Sequence, residues 1–132
     1  MNKREGVALV AILAMLVIFP SGIALAGTTC DSGEFCIWGG LAQTGDFWDP
    51  GVSDGNWPCC GGTGVQNDDQ SIWNRESVGS VVYDGGNFTG VSMYCAIPGY
   101  NGNIHGNRDN SGNSHQLQGT SSCSGFAAPN NP

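Results

Sequence analysis

The chain has 132 residues, 11 of them acidic and 4 basic, with 22 glycines and six cysteines. That length suits one domain and hardly two. So acidic a surface repels phosphate backbones and anionic lipid, which argues against nucleic acid or a lipid surface as partner.

Lys3 and Arg4 open the chain, an apolar run fills residues 7–19, and Ala24-Leu25-Ala26 ends it with small residues where a signal peptidase reads. This pattern predicts a secretory signal over residues 1–26, cleaved after Ala26 rather than retained as an anchor. As a membrane helix the run is short, since about 20 apolar residues are needed and Pro20, Ser21 and Gly22 interrupt it. Removal takes Lys3, Arg4 and Glu5 and leaves 106 residues (27–132) with 10 acidic residues against Arg75 and Arg108, a net charge of −8 and no lysine. The expected product is extracellular, with no membrane attachment once the signal is gone, and monomeric.

Along the mature chain, glycine, asparagine, serine and proline recur too often for any window of roughly 12 residues to keep an apolar helical face. Four short strands are predicted: Phe35-Cys36-Ile37-Trp38, Ser71-Ile72-Trp73-Asn74, Ser80-Val81-Val82-Tyr83 and Val91-Ser92-Met93-Tyr94. Such spacing indicates an all-β sandwich. Residues from Ala127 onward read as a frayed tail.

Two segments echo each other. Tyr83-Asp84-Gly85-Gly86-Asn87-Phe88-Thr89-Gly90 describes a folded-over hairpin, and Trp38-Gly39-Gly40-Leu41-Ala42-Gln43-Thr44-Gly45 repeats its aromatic-to-glycine spacing. Gly90 lacks a Cβ and accepts a positive φ, letting Tyr83 and Phe88 stack over the sheet. Gln43 replaces Phe88 in the first copy, so a looser hairpin is expected there. Each copy is followed by a polar loop, Asn67-Asp68-Asp69-Gln70-Ser71 and Asp109-Asn110-Ser111-Gly112-Asn113-Ser114, offset by 42 where the hairpins are offset by 45.

All six cysteines follow the signal, so three disulfides are expected in an oxidising compartment. Cys30 and Cys36 flank the turn Asp31-Ser32-Gly33 and suggest a local bridge. Cys59 and Cys60 are adjacent and are expected to take separate partners, Cys95 and Cys123, because bridging neighbours strains the peptide.

The paired aromatics and closing glycine of residues 83–90 resemble the Greek-key motif of the βγ-crystallin superfamily, which implies a disulfide-stabilised sandwich of two Greek keys. The polar loops resemble that superfamily's calcium signature. The resemblance implies Asp68 and Asn110 as second-position oxygens, Asn67 and Asp109 beside them, and Ser71 and Asn113 as donors across the loops, holding calcium weakly because few ligands are charged. Solvated turns are the alternative reading of the same residues.

Cys30-Asp31-Ser32-Gly33-Glu34-Phe35-Cys36-Ile37-Trp38, the Asn67-Asp68 to Ser71-Ile72-Trp73-Asn74-Arg75 segment and the Val82-Tyr83 hairpin together are similar to a bacterial secreted peptidase inhibitor family whose known members inhibit metalloproteinases. That resemblance implies an extracellular protease as partner and a rigid exposed loop that enters its cleft. Two loops qualify: Trp57-Pro58 beside Cys59, and Ala96-Ile97 after Cys95. Trp57 also reads as core packing. Catalysis lacks support, since no Gly-x-Ser-x-Gly elbow or His-Glu-x-x-His helix occurs. The expected function is a secreted metalloprotease inhibitor; the alternative is a calcium-binding structural or stress protein without a protease target.

Overall fold

A computed structural model describes residues 29–59 and 64–130; the expected signal segment and Cys60 lie outside the described residues. The described chain forms strands β1 (Phe35–Gly40), β2 (Thr44–Trp48), β3 (Ser71–Asn74), β4 (Ser80–Tyr83), β5 (Ser92–Ala96), β6 (Asn101–Asn103) and β7 (Ser114–Leu117), with two short 3-10 turns. Two antiparallel sheets result, ordered β2-β1-β3-β6 and β5-β4-β7. Among the described residues no helix is long and apolar enough to cross a membrane.

The order within the sheets is that of two Greek keys exchanging a strand. In each unit a hairpin (β1-β2, then β4-β5) is flanked by a later strand of the same unit, β3 or β7, on the first strand's other edge. The second unit's β6 leaves its own sheet and pairs with β3 of the first. In return, Asp54 of the first unit crosses to β7, where its N–H and carbonyl both pair with His115 at 3.0 and 2.9 Å. Neither sheet is complete without the other unit.

Alternation along β1 divides its residues between two clusters, as the two-residue period of a strand requires. Phe35 and Ile37 face the inter-sheet core with Trp57, Val65, Ile72, Val82, Tyr94, Ala96 and Ile104. Cys36 and Trp38 face outward, where they join Cys30, Phe47 and Trp73 in a smaller cluster. The Arg75 guanidinium lies 4.9 Å over the Trp73 ring of that cluster.

The folded hairpin repeats closely in backbone terms. Ala42, Gln43 and Gly45 have φ of 52, 62 and 81°, and Asn87, Phe88 and Gly90 have 55, 61 and 79°. Thr44 Oγ1 donates to the Leu41 carbonyl at 2.8 Å, and Thr89 Oγ1 to that of Gly86 at 2.6 Å. Gln43 therefore does not loosen the first hairpin, as its sequence suggested; its left-handed backbone is held by hydrogen bonds rather than by an aromatic ring. In the second copy Tyr83 and Phe88 do meet, with ring centroids 6.4 Å apart. In the first, Trp38 turns to Phe47 of β2 instead, at 5.0 Å.

Cys30 and Cys36 are bonded, and so are Cys95 and Cys123. The expected crosswise pairing of Cys59 and Cys60 with Cys95 and Cys123 is thus corrected. Cys95 lies on β5 against the returning tail, whose Ala127 carbonyl accepts from its N–H, and this brings Cys123 to it, whereas Cys59 is exposed and free. The tail is not frayed over its described part: the Ala127 carbonyl accepts from Cys95 N–H at 2.8 Å and the Pro129 carbonyl from His105 N–H at 3.0 Å. The tail straps one sheet to the other.

Candidate functional site

Two regions bring together the residues that the sequence singles out: the paired polar loops, and the turn after β5.

The polar loops align by 43 residues rather than 42. Asn67 and Asn110 share a φ of 55°, and Ser71 and Ser114 play one role. Ser71 Oγ donates to the Gly40 carbonyl (2.6 Å) and accepts from Gln43 N–H (2.9 Å); Ser114 Oγ donates to the Gly85 carbonyl (2.6 Å) and accepts from Phe88 N–H (3.1 Å). Each serine pins its own unit's folded hairpin. Ser71, expected as a donor across the loops, has its hydroxyl engaged within its own unit. Its predecessor Gln70 takes that place, with its Nε2 3.3 Å from Asn110 Oδ1.

On the related side, the Asn113 amide nitrogen bonds to Asn67 Oδ1 at 3.1 Å and closely to the Asp84 carbonyl, while Asn113 Oδ1 is buried without a hydrogen-bond partner among the described residues. Asp68 is exposed, with its carboxylate against Gly39. Asp109 contributes its carbonyl to Ser111 Oγ at 3.2 Å. Amide, carbonyl and carboxylate oxygens of this kind suit a hard cation, but the inner set of Asn67, Gln70, Asn110 and Asn113 is uncharged.

What joins the two loops is Asp69, which the sequence reading left inside a turn. Its side chain is fully buried. Oδ1 accepts from Ser111 N–H (2.9 Å) and Gly112 N–H (2.7 Å), Oδ2 accepts from the Tyr94 hydroxyl (2.8 Å), and its carbonyl accepts from Asn110 N–H (2.9 Å). Burial pushes the Asp69 carboxyl up to about 6, against the opposing pull of the Gly112 N–H and the Tyr94 hydroxyl. Gly112 is required there, since a Cβ would run into the Trp57 ring and come within 2.9 Å of Asp69 Oδ2.

Trp57 belongs to this interior, at 1% exposure. Its indole N–H donates to His115 Nδ1 at 3.0 Å, and His115 stacks on Phe35 with centroids 4.8 Å apart. Burial lowers His115 to about 4, with Asp54 opposing, so the imidazole is neutral and accepts through Nδ1. Trp57 is a core residue and not an exposed anchor, which removes it from the expected inhibitory loop; Pro58 beside it is half-buried.

The other loop divides. Ala96 ends β5 fully buried, while Ile97 is 52% exposed. The chain turns through residues 97–100, with Tyr100 N–H donating to the Ile97 carbonyl at 3.0 Å and Gly99 at φ 78°. Behind the turn, Ile97, Tyr100, Phe126, Pro129 and the Cys95–Cys123 bridge line a hollow of about 400 Å³. A single apolar side chain thus projects from a short turn anchored by a disulfide on one flank.

Comparison with known proteins decides the family. Residues 24–95, more than half of the chain, match the family model described as Peptidase inhibitor family I36. The chain belongs to this family. The family's description points to an inhibitor rather than an enzyme. No curated protein matches the chain in sequence.

Among solved structures, a βγ-crystallin from Ciona intestinalis is 25% identical with a TM-score of 0.53, covering 65% of this chain and 100% of its own. A βγ-crystallin from an archaeon is 17% identical with a TM-score of 0.53, over 67% of this chain and 100% of its own. The N-terminal domain of Protein S is 14% identical with a TM-score of 0.51, over 64% and 94% respectively. The inhibitor domain is therefore built on the βγ-crystallin fold, as expected from the paired hairpins.

Proposed function

We propose that this chain is a secreted inhibitor of metalloproteases and that it meets its target through the turn at residues 97–100. The carrying observation is Ile97, 52% exposed directly after the buried Ala96 and the disulfide-bonded Cys95, in a chain of a peptidase inhibitor family. A protease inhibitor gains affinity when the segment entering the cleft is already ordered, because little conformational entropy is then lost on binding. The other expected segment offers no such anchor, since Trp57 is inside. Secretion rests on the signal pattern of residues 1–26, and the metalloprotease target on the resemblance to inhibitors of that class.

Residues 27–132 are expected to slow a thermolysin-like metalloprotease at stoichiometric ratio, and Ile97→Ala to weaken inhibition by roughly 10- to 100-fold, the loss associated with truncating a central interface anchor. Unchanged turnover at large excess of the intact chain would remove the reading; wild-type potency in Ile97→Ala would move the contact elsewhere.

A second reading concerns calcium. It is supported by Asn113, whose amide lies against Asn67 Oδ1 and the Asp84 carbonyl while its own oxygen is buried and unpartnered among the described residues. Turning that amide over would gather three oxygens at one point. Asn67, Asn113 and Asp84 would hold the ion on one side, and Gln70 and Asn110, with Asp68 nearby, on the other. With so little charge the affinity would fall at the weak, roughly millimolar end of the range for oxygen sites. The ion would serve by tying the two polar loops together.

A further inference from the structure

We propose that Asn74 holds both banks of the turn at residues 97–100, so that the chain stays in register after a protease has hydrolysed a bond between Cys95 and Gly99. The proposal rests on the inhibitory reading of that turn and adds to it the residue that keeps the inhibitor from being consumed.

Asn74 is fully buried at the end of β3, and all its polar groups are engaged. Its side-chain nitrogen donates to the Ala96 carbonyl at 2.8 Å and to the Val78 carbonyl at 2.9 Å. Its Oδ1 accepts from Glu76 N–H at 3.0 Å, which fixes the amide orientation from both ends. Its main chain grips the far bank: Asn74 N–H donates to the Tyr100 carbonyl at 2.8 Å, and the Asn74 carbonyl accepts from Gly99 N–H at 2.8 Å. One residue thus spans the turn, side chain on the β5 side and backbone on the β6 side.

Hydrolysis in this segment adds one water across one peptide bond and leaves a carboxylate and an ammonium; the attacking protease supplies the catalysis in both directions. The piece ending near Cys95 remains bonded to the piece carrying Cys123 through their disulfide, and Cys95 N–H stays on the Ala127 carbonyl. The disulfide prevents the pieces from diffusing apart, but a single bridge does not set the register of the two new ends. Asn74 does, because it belongs to the first piece and bonds to Gly99 and Tyr100 of the second. Held side by side, the new carboxylate and ammonium are in place to expel water and reform the bond, or to go on occupying the cleft.

The test is a time course of the whole mature chain, unreduced, with equimolar thermolysin-like metalloprotease, reading residual protease activity and the fraction of cut chain by mass. Asn74→Asp keeps the volume and the acceptor for Glu76 N–H but removes both side-chain donations. Wild type is expected to keep the protease slowed while its cut fraction stops short of completion. The variant, assayed well below its own melting temperature, is expected to be cut through and to release the protease about tenfold sooner, a change of the order that losing the one bond to the turn, at the Ala96 carbonyl, produces. A merely structural asparagine would lower the melting temperature without changing that partition. A folded variant that persists like wild type overturns the proposal.

If the variant does not fold, or if the intact wild type leaves the protease unslowed so that the inhibitory reading itself falls, the cut wild-type chain decides. Gly99 and Tyr100 remaining bonded, read as continued protection of the Gly99 and Asn74 amides from hydrogen exchange, supports the clamp; their exchange at the rate of open chain refutes it.

Discussion

Two buried titratable groups lie within one hydrogen-bonded interior and oppose each other in pH, and replacing Asp69 by asparagine separates them. Asp69 has its carboxyl raised from 3.8 to about 6 by burial, and His115 is lowered from 6.5 to about 4 by the same cause. For Asp69 the folded chain holds its proton more tightly than the unfolded chain, so its contribution is fully present below about pH 4 and is lost as pH rises to about 6. For His115 the unfolded chain takes up the proton first, so its contribution is complete above about pH 6.5 and is lost as pH falls to about 4. Each displacement corresponds to about 3 kcal/mol, with opposite sign over nearly the same window. The wild type is therefore expected to show a shallow dependence there.

Asp69→Asn removes one side of the balance. Asn Oδ1 still accepts from Ser111 and Gly112 N–H, and the Tyr94 hydroxyl turns from donor to acceptor toward the new amide, so the fold is retained. Urea unfolding from about pH 4 to about pH 7 should then show the variant gaining roughly 3 kcal/mol on the wild type as pH rises. Asp69→Ala instead leaves two buried N–H groups and a hydroxyl unpaired, each worth about 1–3 kcal/mol, and is expected to be far less stable at every pH. Parallel pH curves for wild type and Asp69→Asn would refute the reasoning, since they would mean that the carboxyl titrates alike in both states.

Gly112→Ala is expected to lose at least about 3 kcal/mol in denaturant unfolding, because the added methyl meets Trp57 and Asp69 in a filled interior. Replacing Cys95 and Cys123 together by serine removes a bridge across a sequence separation of 28 and should lower stability by roughly 3–4 kcal/mol on the chain-entropy argument, with earlier cutting of the turn in a protease time course. Calcium at about ten times its dissociation constant should add about 1.4 kcal/mol, seen as a rise of several degrees in melting temperature, and Asn113→Ala should abolish the rise; equal melting in calcium and chelator would refute the ion site.

Much of the frame is legible in local sequence because the folded hairpin is a local object. Its left-handed residues, closing glycine and Thr lie within one short stretch in each copy, and the strands before them, β1 and β4, are rich in β-branched or aromatic side chains. β2, β6 and β7 read poorly for the opposite reason. Asn101-Gly102-Asn103 has no strand propensity, and it is extended only because β3 offers an edge to pair with. The same non-local pairing set the loop register: Ser71 and Ser114 are recognisable as equivalents only once each is seen inside its hairpin, whereas the sequence alone pairs Ser71 with Asn113. Asp69 is hidden for a related cause. Beside Asp68 in a polar turn it reads as solvated, and nothing local reveals that Tyr94 and Gly112 close over it.

Where the copies agree, they specify the fold; where they differ, function has room to lie. The φ angles, the threonine bonds and the serine pins recur in both units, so they belong to the scaffold. The second unit alone has a disulfide joining its second strand to the returning tail, an exposed apolar residue directly after that strand, and a clamp reaching over from the first unit's β3. That clamp exists because the units exchange a strand: β6 leaves its own sheet for β3, and the turn leading into it must therefore pass over the end of β3, where Asn74 stands. The rigidity that the proposed inhibitory reading asks of this turn thus follows from the crossover itself, since an ordered segment loses little conformational entropy on binding.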